Sequence, residues 1–159
     1  MPCDSRINKF ATNIGMKTMI EGCQKCVAKH VLLVLDCCYS GYAALKDAPQ
    51  KRHTKVSENY VNQIASKRAI QVLAAGQEDE PVSDSGVRPG YSAFTGSLLD
   101  ILETELDLDG DGILTAAEIG HNLEKQIIQR QGVNQKPAYN PISGSEGGDF
   151  IFKLFDITE

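Results

Sequence analysis

Residues 31–41 of this chain read VLLVLDCCYSG, and this stretch decides the fold that the sequence predicts. Its first five positions are all Val or Leu, a run too short for a membrane span and typical of a strand buried on both faces of a sheet. Asp36, Cys37 and Cys38 follow at once, before a Tyr-Ser-Gly turn. Because a buried strand that ends in a thiol and a turn presents that thiol at the carboxyl edge of the sheet, Cys38 is predicted to be a nucleophile.

Composition indicates one domain and excludes several classes of function. The chain has 159 residues and a formal net charge of −5, with no block of like charges, so a nucleic-acid-binding surface is not expected. It contains neither a run of about eighteen apolar residues nor a charged-then-apolar leader, and neither a membrane span nor a signal peptide is predicted. The five cysteines do not resemble a disulfide framework, which favours a reducing, cytoplasmic location.

An amphipathic helix is predicted upstream of the strand. Its apolar positions fall on one side at helical spacing: Met16, Met19, Ile20, Cys23, Cys26 and Val27. The pair Cys23 and Cys26 also suggests a metal or redox site. A zinc site needs about four ligands, and no second Cys or His pair lies at ligand spacing, so packing on the apolar stripe is the preferred interpretation.

Two loops and a second strand are predicted after the turn. Residues 46–56 (KDAPQKRHTKV) are basic and poor in apolar side chains, which indicates an exposed loop, either a solvated connection or a cleavable linker within a protease domain. Residues 70–75 (IQVLAA) predict a second buried strand, and residues 77–90 an acidic loop.

The last part of the chain predicts two helices and a final strand. Ser92 is expected to cap a helix over residues 94–106, and a second helix is expected over 115–130. Residues 131–148 are rich in Gly, Pro, Asn and Ser and predict a long surface loop. Residues 149–155 then predict an edge strand.

Residues 107–118 read DLDGDGILTAAE, which matches the EF-hand calcium loop at all of its diagnostic positions. Three carboxylates and a bidentate one would surround a hard cation, and the Gly at the sixth position permits the tight turn. The predicted ligands are Asp107, Asp109, Asp111, Ile113 through its carbonyl, Thr115 and Glu118. The alternative is an acidic turn that caps a helix without metal. Since only one such loop is present, the expected cofactor is a structural Ca²⁺ rather than a regulatory one.

Four segments resemble the caspase-like cysteine peptidases, which include caspases, metacaspases and their bacterial relatives. Residues 36–41 (DCCYSG) are close to the D-x-C-x-S-G nucleophile motif of metacaspase-like members. The other segments are 72–82 (VLAAGQEDEPV), 91–102 (YSAFTGSLLDIL) and 146–152 (EGGDFIF), in the family's order. The resemblance implies an α/β fold, a caspase-like three-layer sandwich with a mostly parallel sheet flanked by helices, in a single partial domain over residues 1–159.

The resemblance also implies roles for the matching residues. Cys38 matches the nucleophile, and its backbone N–H would be one oxyanion donor. Asp36 matches an acid in the floor of the primary specificity pocket, where a carboxylate favours Arg or Lys before the scissile bond. Asp79 and Glu80, on the loop after the second strand, are candidates to add to that pocket. Cys37 matches a variable position and is expected to pack, with a redox role as the alternative.

The family's catalytic His is not found at its usual place. It lies about 50 residues before the Cys and is followed by Gly, whereas only 37 residues precede Cys38. None of His30, His53 and His121 is followed by Gly, and His30, eight residues before Cys38 along one strand, would lie roughly 26 Å away. The expectation is a domain truncated at its N-terminal side, with the His upstream of Met1.

The predicted function is a metacaspase-type cysteine endopeptidase that cleaves peptides or proteins after Arg or Lys through Cys38. This chain alone is expected to be weak or inactive, because a thiol without its base is mostly protonated. The alternative is a non-catalytic, calcium-binding caspase-like interaction module. A plain EF-hand sensor is a third interpretation, but it leaves residues 36–41 unexplained. The expected partners are a substrate and, along the sheet edge that lost strands would expose, a second copy or an upstream His-bearing segment.

Overall fold

The computed structural model describes residues 15–37, 58–76, 86, 88–104, 112–129 and 135–153. Its helices are α1 (Met16–Lys25), α2 (Glu58–Ser66), α3 (Ala93–Glu103) and α4 (Ala116–Ile128). Its strands are β1 (His30–Leu35), β2 (Ala69–Ala74), β3 (Ile113–Thr115), β4 (Ala138–Pro141) and β5 (Ile151–Lys153). The described part is a mixed α/β structure in which no helix combines the length and apolar character needed to cross a bilayer.

The larger sheet has three strands in the order β1-β2-β4. β1 and β2 are parallel, with His30 opposite Ala69 and Leu35 opposite Ala74. Parallel neighbours need a crossover connection, and α2 lies in it. β4 is antiparallel to β2, with Ala138 opposite Ala74. Within the described residues the sheet is therefore mixed rather than mostly parallel, because β4 adds an antiparallel strand that the sequence pattern does not indicate.

Helices cover both faces of this sheet. On one face, Ile70 and Val72 of β2 pack with Ile20 of α1. On the other face, Leu73 packs with buried side chains of α3 and α4: Phe94, Ile101, Ile119, Leu123 and Ile127. The division follows from the strand itself, since successive side chains point to opposite faces. All six residues of β2 are buried, so β2 is the centre of the core.

β1 is a strand, as predicted, but it is less buried than its run of Val and Leu suggests. Its side chains are half-buried, and Val34 is 42% exposed. The reason is its position at one end of the described sheet, where β2 is its only neighbour. The prediction of burial on both faces was wrong for β1, whereas it is correct for β2.

α1 ends earlier than its apolar pattern predicts. Ile20 is buried, and Met16 and Cys23 pack against the same core cluster. The helix stops at Lys25, so Cys26 is its C-cap and is exposed, and Val27 is 99% exposed. The packing interpretation is therefore confirmed for Cys23 and wrong for Cys26. The Nη2 of Arg68 donates to the carbonyl oxygens of Gln24 at 2.8 Å and Cys26 at 2.7 Å, which satisfies the end of α1.

β3 and β5 form a second, antiparallel sheet, with Leu114 opposite Phe152. Leu114 is fully buried in the core cluster that contains Leu73 and Phe94, and Phe152 packs against it. The backbone N–H of Ala116 donates to the carbonyl oxygen of Phe150 at 2.8 Å and extends this pairing to the start of α4. The predicted final strand is thus confirmed over residues 151–153, and it closes on β3.

Candidate functional site

Asp36 is the first residue beyond β1, at the carboxyl edge of the parallel strand pair. Leu35 is opposite Ala74, and its carbonyl oxygen accepts a hydrogen bond of 2.9 Å from the N–H of Ala75. The two strands therefore end at the same level, as parallel strands that share a site do. The side chain of Asp36 is exposed, and Cys37, which follows it, is also exposed.

Two hydroxyl groups from the start of α3 hold the carboxylate of Asp36. Ser92 Oγ donates to Asp36 Oδ2 at 2.6 Å, and Thr95 Oγ1 donates to the same oxygen at 2.5 Å. Ser92 is also the N-cap of α3, because its Oγ accepts a hydrogen bond from the N–H of Thr95 at 2.9 Å. The helix N-terminus favours negative charge beside it, and this edge of the sheet therefore holds an exposed carboxylate in place.

The role of Ser92 and Thr95 at Asp36 could not be read from the sequence. The sequence pattern indicates Ser92 only as a helix cap, which is confirmed. Its contact with Asp36 spans 56 positions and that of Thr95 spans 59, so no local spacing connects them. The one available signal is that both lie in the segment 91–102 that carries the family resemblance.

Of the predicted site residues near this edge, the structure describes Asp36 alone. Cys38, Asp79 and Glu80 lie outside the described residues, as does the loop over residues 46–56. The carboxylate precedes Cys38 by two positions in the chain. An exposed, anchored carboxylate is suited to binding a cationic side chain.

Of the two histidines in the described part of the chain, His30 lies away from this edge. His30 opens β1 at the opposite end of the strand from Asp36, and its Nε2 is 3.1 Å from the carbonyl oxygen of Lys67. His121 lies on α4, where it lines a shallow surface groove with Glu124 and Lys125. His53 lies outside the described residues.

The second half of the predicted calcium loop has a defined conformation. Gly112 has a φ of +79°, which a residue with a side chain rarely adopts and which the sixth position of the loop requires. Thr115 is the N-cap of α4, and Thr115 and Glu118 form a capping box. Glu118 Oε2 accepts hydrogen bonds from the N–H of Thr115 at 2.8 Å and from its Oγ1 at 2.9 Å.

These residues fit a calcium loop and also fit the helix-capping alternative. Ile113, Thr115 and Glu118 are at the ends of β3 and α4, where an EF-hand loop places its seventh, ninth and twelfth positions. Asp107, Asp109 and Asp111 lie outside the described residues. In the ranges that are described, no three His, Cys, Asp or Glu side chains lie close enough to hold a metal ion. If Ca²⁺ binds here, it would pull these oxygens together and so stabilise the junction of β3 with α4.

A buried polar cluster lies on the α4 side of β2, where the sequence predicts only an apolar strand. Gln71 Nε2 donates to Tyr139 Oη at 2.5 Å and to Asp149 Oδ1 at 2.9 Å, and Gln71 Oε1 accepts from the N–H of Phe150 at 2.8 Å. Burial, and then the charge of Asp149, raises the pKa of the Tyr139 phenol far above its usual value of about 10. The pKa of Tyr60 is raised by the same two causes in the same order.

Comparison of the chain with protein families, curated proteins and solved structures finds no match.

Proposed function

We propose that this chain carries the nucleophile-bearing part of a metacaspase-type cysteine endopeptidase that cleaves after Arg or Lys. The observation that carries the proposal is the Asp36 carboxylate, which is exposed and yet held by Ser92 and Thr95 at the carboxyl edge of a parallel strand pair. Cys38 follows it two positions later. A fixed carboxylate would bind the guanidinium or ammonium of a basic side chain and so bring the adjacent peptide bond to the thiol.

The chemistry assigned to Cys38 is acyl transfer. Its thiolate attacks the scissile carbonyl carbon, the C–N bond breaks, and the leaving amine takes a proton as a thioester forms. Water then attacks the thioester, which releases the new carboxylic acid and returns the thiol. The backbone N–H of Cys38 would donate to the oxyanion. A His must take the thiol proton for fast turnover, and His30 is not proposed for this role because it lies at the opposite end of β1 from Asp36.

The arrangement of the layers is compatible with a caspase-like sandwich. α1 covers one face of the β1-β2-β4 sheet, and α3 and α4 cover the other. β1, which carries Asp36 at its end, is open along its outer edge in the described structure, so further strands of a larger sheet have a place to pair. Asp79 and Glu80 are proposed to add negative charge to the same pocket, and the location is proposed to be cytoplasmic.

The test is intact-mass labelling of the chain with an Arg-bearing thiol-reactive probe. The expected result is selective labelling of Cys38, absent in Cys38→Ala and slower by at least about tenfold in Asp36→Asn, because one charge-assisted contact is lost. An otherwise identical probe with Asp in place of Arg, and the variant Cys37→Ala, are the controls. If the Arg probe labels Cys38 no faster than it labels the exposed Cys26, the peptidase assignment is wrong.

A second candidate is a non-catalytic, calcium-binding caspase-like module that acts through protein contacts. The observation that favours it is the capping box at Glu118 together with the burial of Leu114, which tie the predicted calcium loop into the main core. Fusion of a His-bearing upstream segment separates the two candidates. Cleavage of Arg peptides that is lost in Cys38→Ala supports the peptidase, whereas a folded, calcium-binding fusion without cleavage supports the interaction module.

A further inference from the structure

The two hydroxyl groups at Asp36 converge on one of its two carboxylate oxygens. Both Ser92 Oγ and Thr95 Oγ1 donate to Oδ2, at 2.6 and 2.5 Å. A hydroxyl has one hydrogen to donate. Because Ser92 Oγ is the acceptor in its bond with the Thr95 N–H, its hydrogen is available for Asp36. Both contacts are therefore donor-to-acceptor hydrogen bonds to the same atom.

This convergence limits how a cation can meet the carboxylate. A carboxylate offers about four lone-pair positions, two on each oxygen. Two hydroxyl donors fill those of Oδ2, and no residue in the described ranges donates to Oδ1. A guanidinium that binds side-on needs one lone pair on each oxygen of the carboxylate. Because both lone pairs of Oδ2 are occupied, Asp36 cannot form this bidentate pair with Arg. A contact through Oδ1 alone stays open, and the three N–H groups of a Lys ammonium meet a single oxygen as readily as a guanidinium does.

We propose that Asp36 meets the basic side chain of its substrate through Oδ1 alone, so that the pocket accepts Lys as readily as Arg. Thr95 is then a specificity-determining positioning residue, because its hydroxyl and that of Ser92 together occupy the lone pairs of Oδ2, one of which a side-on Arg would need. This inference rests on the proposed peptidase function and adds how the pocket divides its preference between Arg and Lys. It differs from a pocket with an unoccupied carboxylate, in which the bidentate pair would favour Arg.

The test compares matched Arg and Lys acyloxymethyl ketone probes on the full chain, by the second-order rate of Cys38 labelling. The Arg-to-Lys rate ratio is expected to lie within about threefold of one in the natural chain, because each cation makes the same one-oxygen contact. Thr95→Val keeps the helix cap, since Ser92 Oγ bonds the backbone N–H of residue 95. It frees one lone pair on Oδ2, and the ratio is expected to rise about tenfold from one added charge-assisted hydrogen bond.

Two variants show that the effect comes from the hydroxyl at position 95. Thr95→Ser retains the donor and is expected to keep the natural ratio. Thr104→Val removes a hydroxyl at the other end of α3, where it bonds the carbonyl oxygen of Asp100 at 2.6 Å, and is also expected to keep it. The same ratio in Thr95→Val and in the natural chain, or a natural ratio that already favours Arg by more than about tenfold, overturns the inference alone. Labelling of Cys38 by neither basic probe above an uncharged one overturns the proposed function and the inference with it.

Discussion

The side-chain amide of Gln71 donates a hydrogen bond of 2.9 Å to the carboxylate of Asp149, and both side chains are buried. The two residues are 78 positions apart in the chain, so this bond joins the central strand to the segment that leads into β5. The same amide also bonds Tyr139 and the backbone of Phe150. The Gln71 side chain therefore links β2 to β4 and to the segment that leads into β5.

Gln71→Leu is expected to lower the free energy of unfolding by about 3 kcal/mol, because it leaves the Phe150 N–H and the Asp149 carboxylate with fewer partners in the core. Urea denaturation followed by circular dichroism measures this change. Gln24→Leu is the control, since its amide makes an exposed bond to the carbonyl oxygen of Ser143, and a loss below about 1 kcal/mol is expected there. Equal losses in the two variants would show that the buried cluster contributes no more to stability than an exposed hydrogen bond does.

Stability is expected to decrease at alkaline pH because of Tyr139. Its pKa is higher in the folded protein than in the unfolded chain, so the folded state keeps the phenol proton after the unfolded state has begun to release it. The stabilisation is complete below about pH 10, the unfolded pKa, and is lost as the pH rises toward the folded pKa. Above pH 10 the free energy of unfolding should fall by up to about 1.4 kcal/mol per pH unit from this group.

The measurement is urea denaturation at several pH values from 8 to about 11.5. Tyr139→Phe removes the titrating group and should flatten the decrease, although it also removes the bond from Gln71 and lowers stability at pH 8. Tyr91→Phe is a suitable control because Tyr91 is 43% exposed. A decrease of the same slope in Tyr139→Phe would contradict the assignment.

Two helical glycines are expected to respond oppositely to substitution by Ala. A Cβ at Gly120 of α4 would lie 2.6 Å from the Cβ of Tyr139, so Gly120→Ala should force the helix away from β4 and destabilise the protein by about 2 kcal/mol. A Cβ at Gly22 of α1 would meet no atom within 4 Å, so Gly22→Ala should stabilise it by about 0.5–1 kcal/mol through helix propensity. Thermal unfolding of both variants compares them directly. Destabilisation by both would mean that close packing is not the cause.

Calcium binding is tested by Glu118→Gln. Gln also serves in a capping box, so this variant should retain the start of α4 and change stability in the absence of metal by less than about 0.5 kcal/mol. It removes the carboxylate that would bind Ca²⁺ through both oxygens. Ca²⁺ at about 100 times its Kd should stabilise the natural chain by roughly 2.7 kcal/mol and have little effect on Glu118→Gln. A melting temperature of the natural chain that neither Ca²⁺ nor a chelator changes would refute binding.

The outer edge of β1 is expected to promote self-association. The carbonyl oxygens of Lys29 and Leu35 accept bonds from β2, so the backbone groups of the alternate residues, such as Leu32 and Val34, point away from it. Val34→Lys should weaken self-association, because an edge Lys opposes strand pairing. Val27→Lys is the control at a position that is 99% exposed and outside the sheet. Sedimentation velocity over a range of concentrations measures both, and a natural chain that is monomeric throughout would contradict the prediction.

Apolar periodicity predicts much of this fold. It indicates β1, β2, β5 and the helices α1, α3 and α4, because each has apolar side chains at the spacing of its element. It fails for β4, since Ala-Tyr-Asn-Pro has no alternation of apolar and polar residues and Pro141 suits only the end or edge of a sheet. It also leaves α2 unpredicted, although Tyr60, Val61 and Ile64 fall on one side of that helix.

The sequence likewise predicts only some features of the candidate site. Asp36 is found from the end of an apolar run, and Ser92 from its place before a helix. Their contact depends on where α3 lies against β1, which is a property of the tertiary structure. The same is true of Gln71, a polar residue inside a buried strand whose partners come from segments more than 65 positions away.

The contrast between β1 and β2 has a consequence for how this sequence tolerates change over evolutionary time. β1 is the more hydrophobic strand, yet its side chains are only half-buried, whereas β2 contains a Gln and has no residue open to solvent. Conservation of side-chain volume is thus expected to be strictest along β2, with Gln71 as fixed as its apolar neighbours. In β1 the apolar character of Val and Leu is expected to be conserved, whereas substitutions among apolar residues are expected to be tolerated.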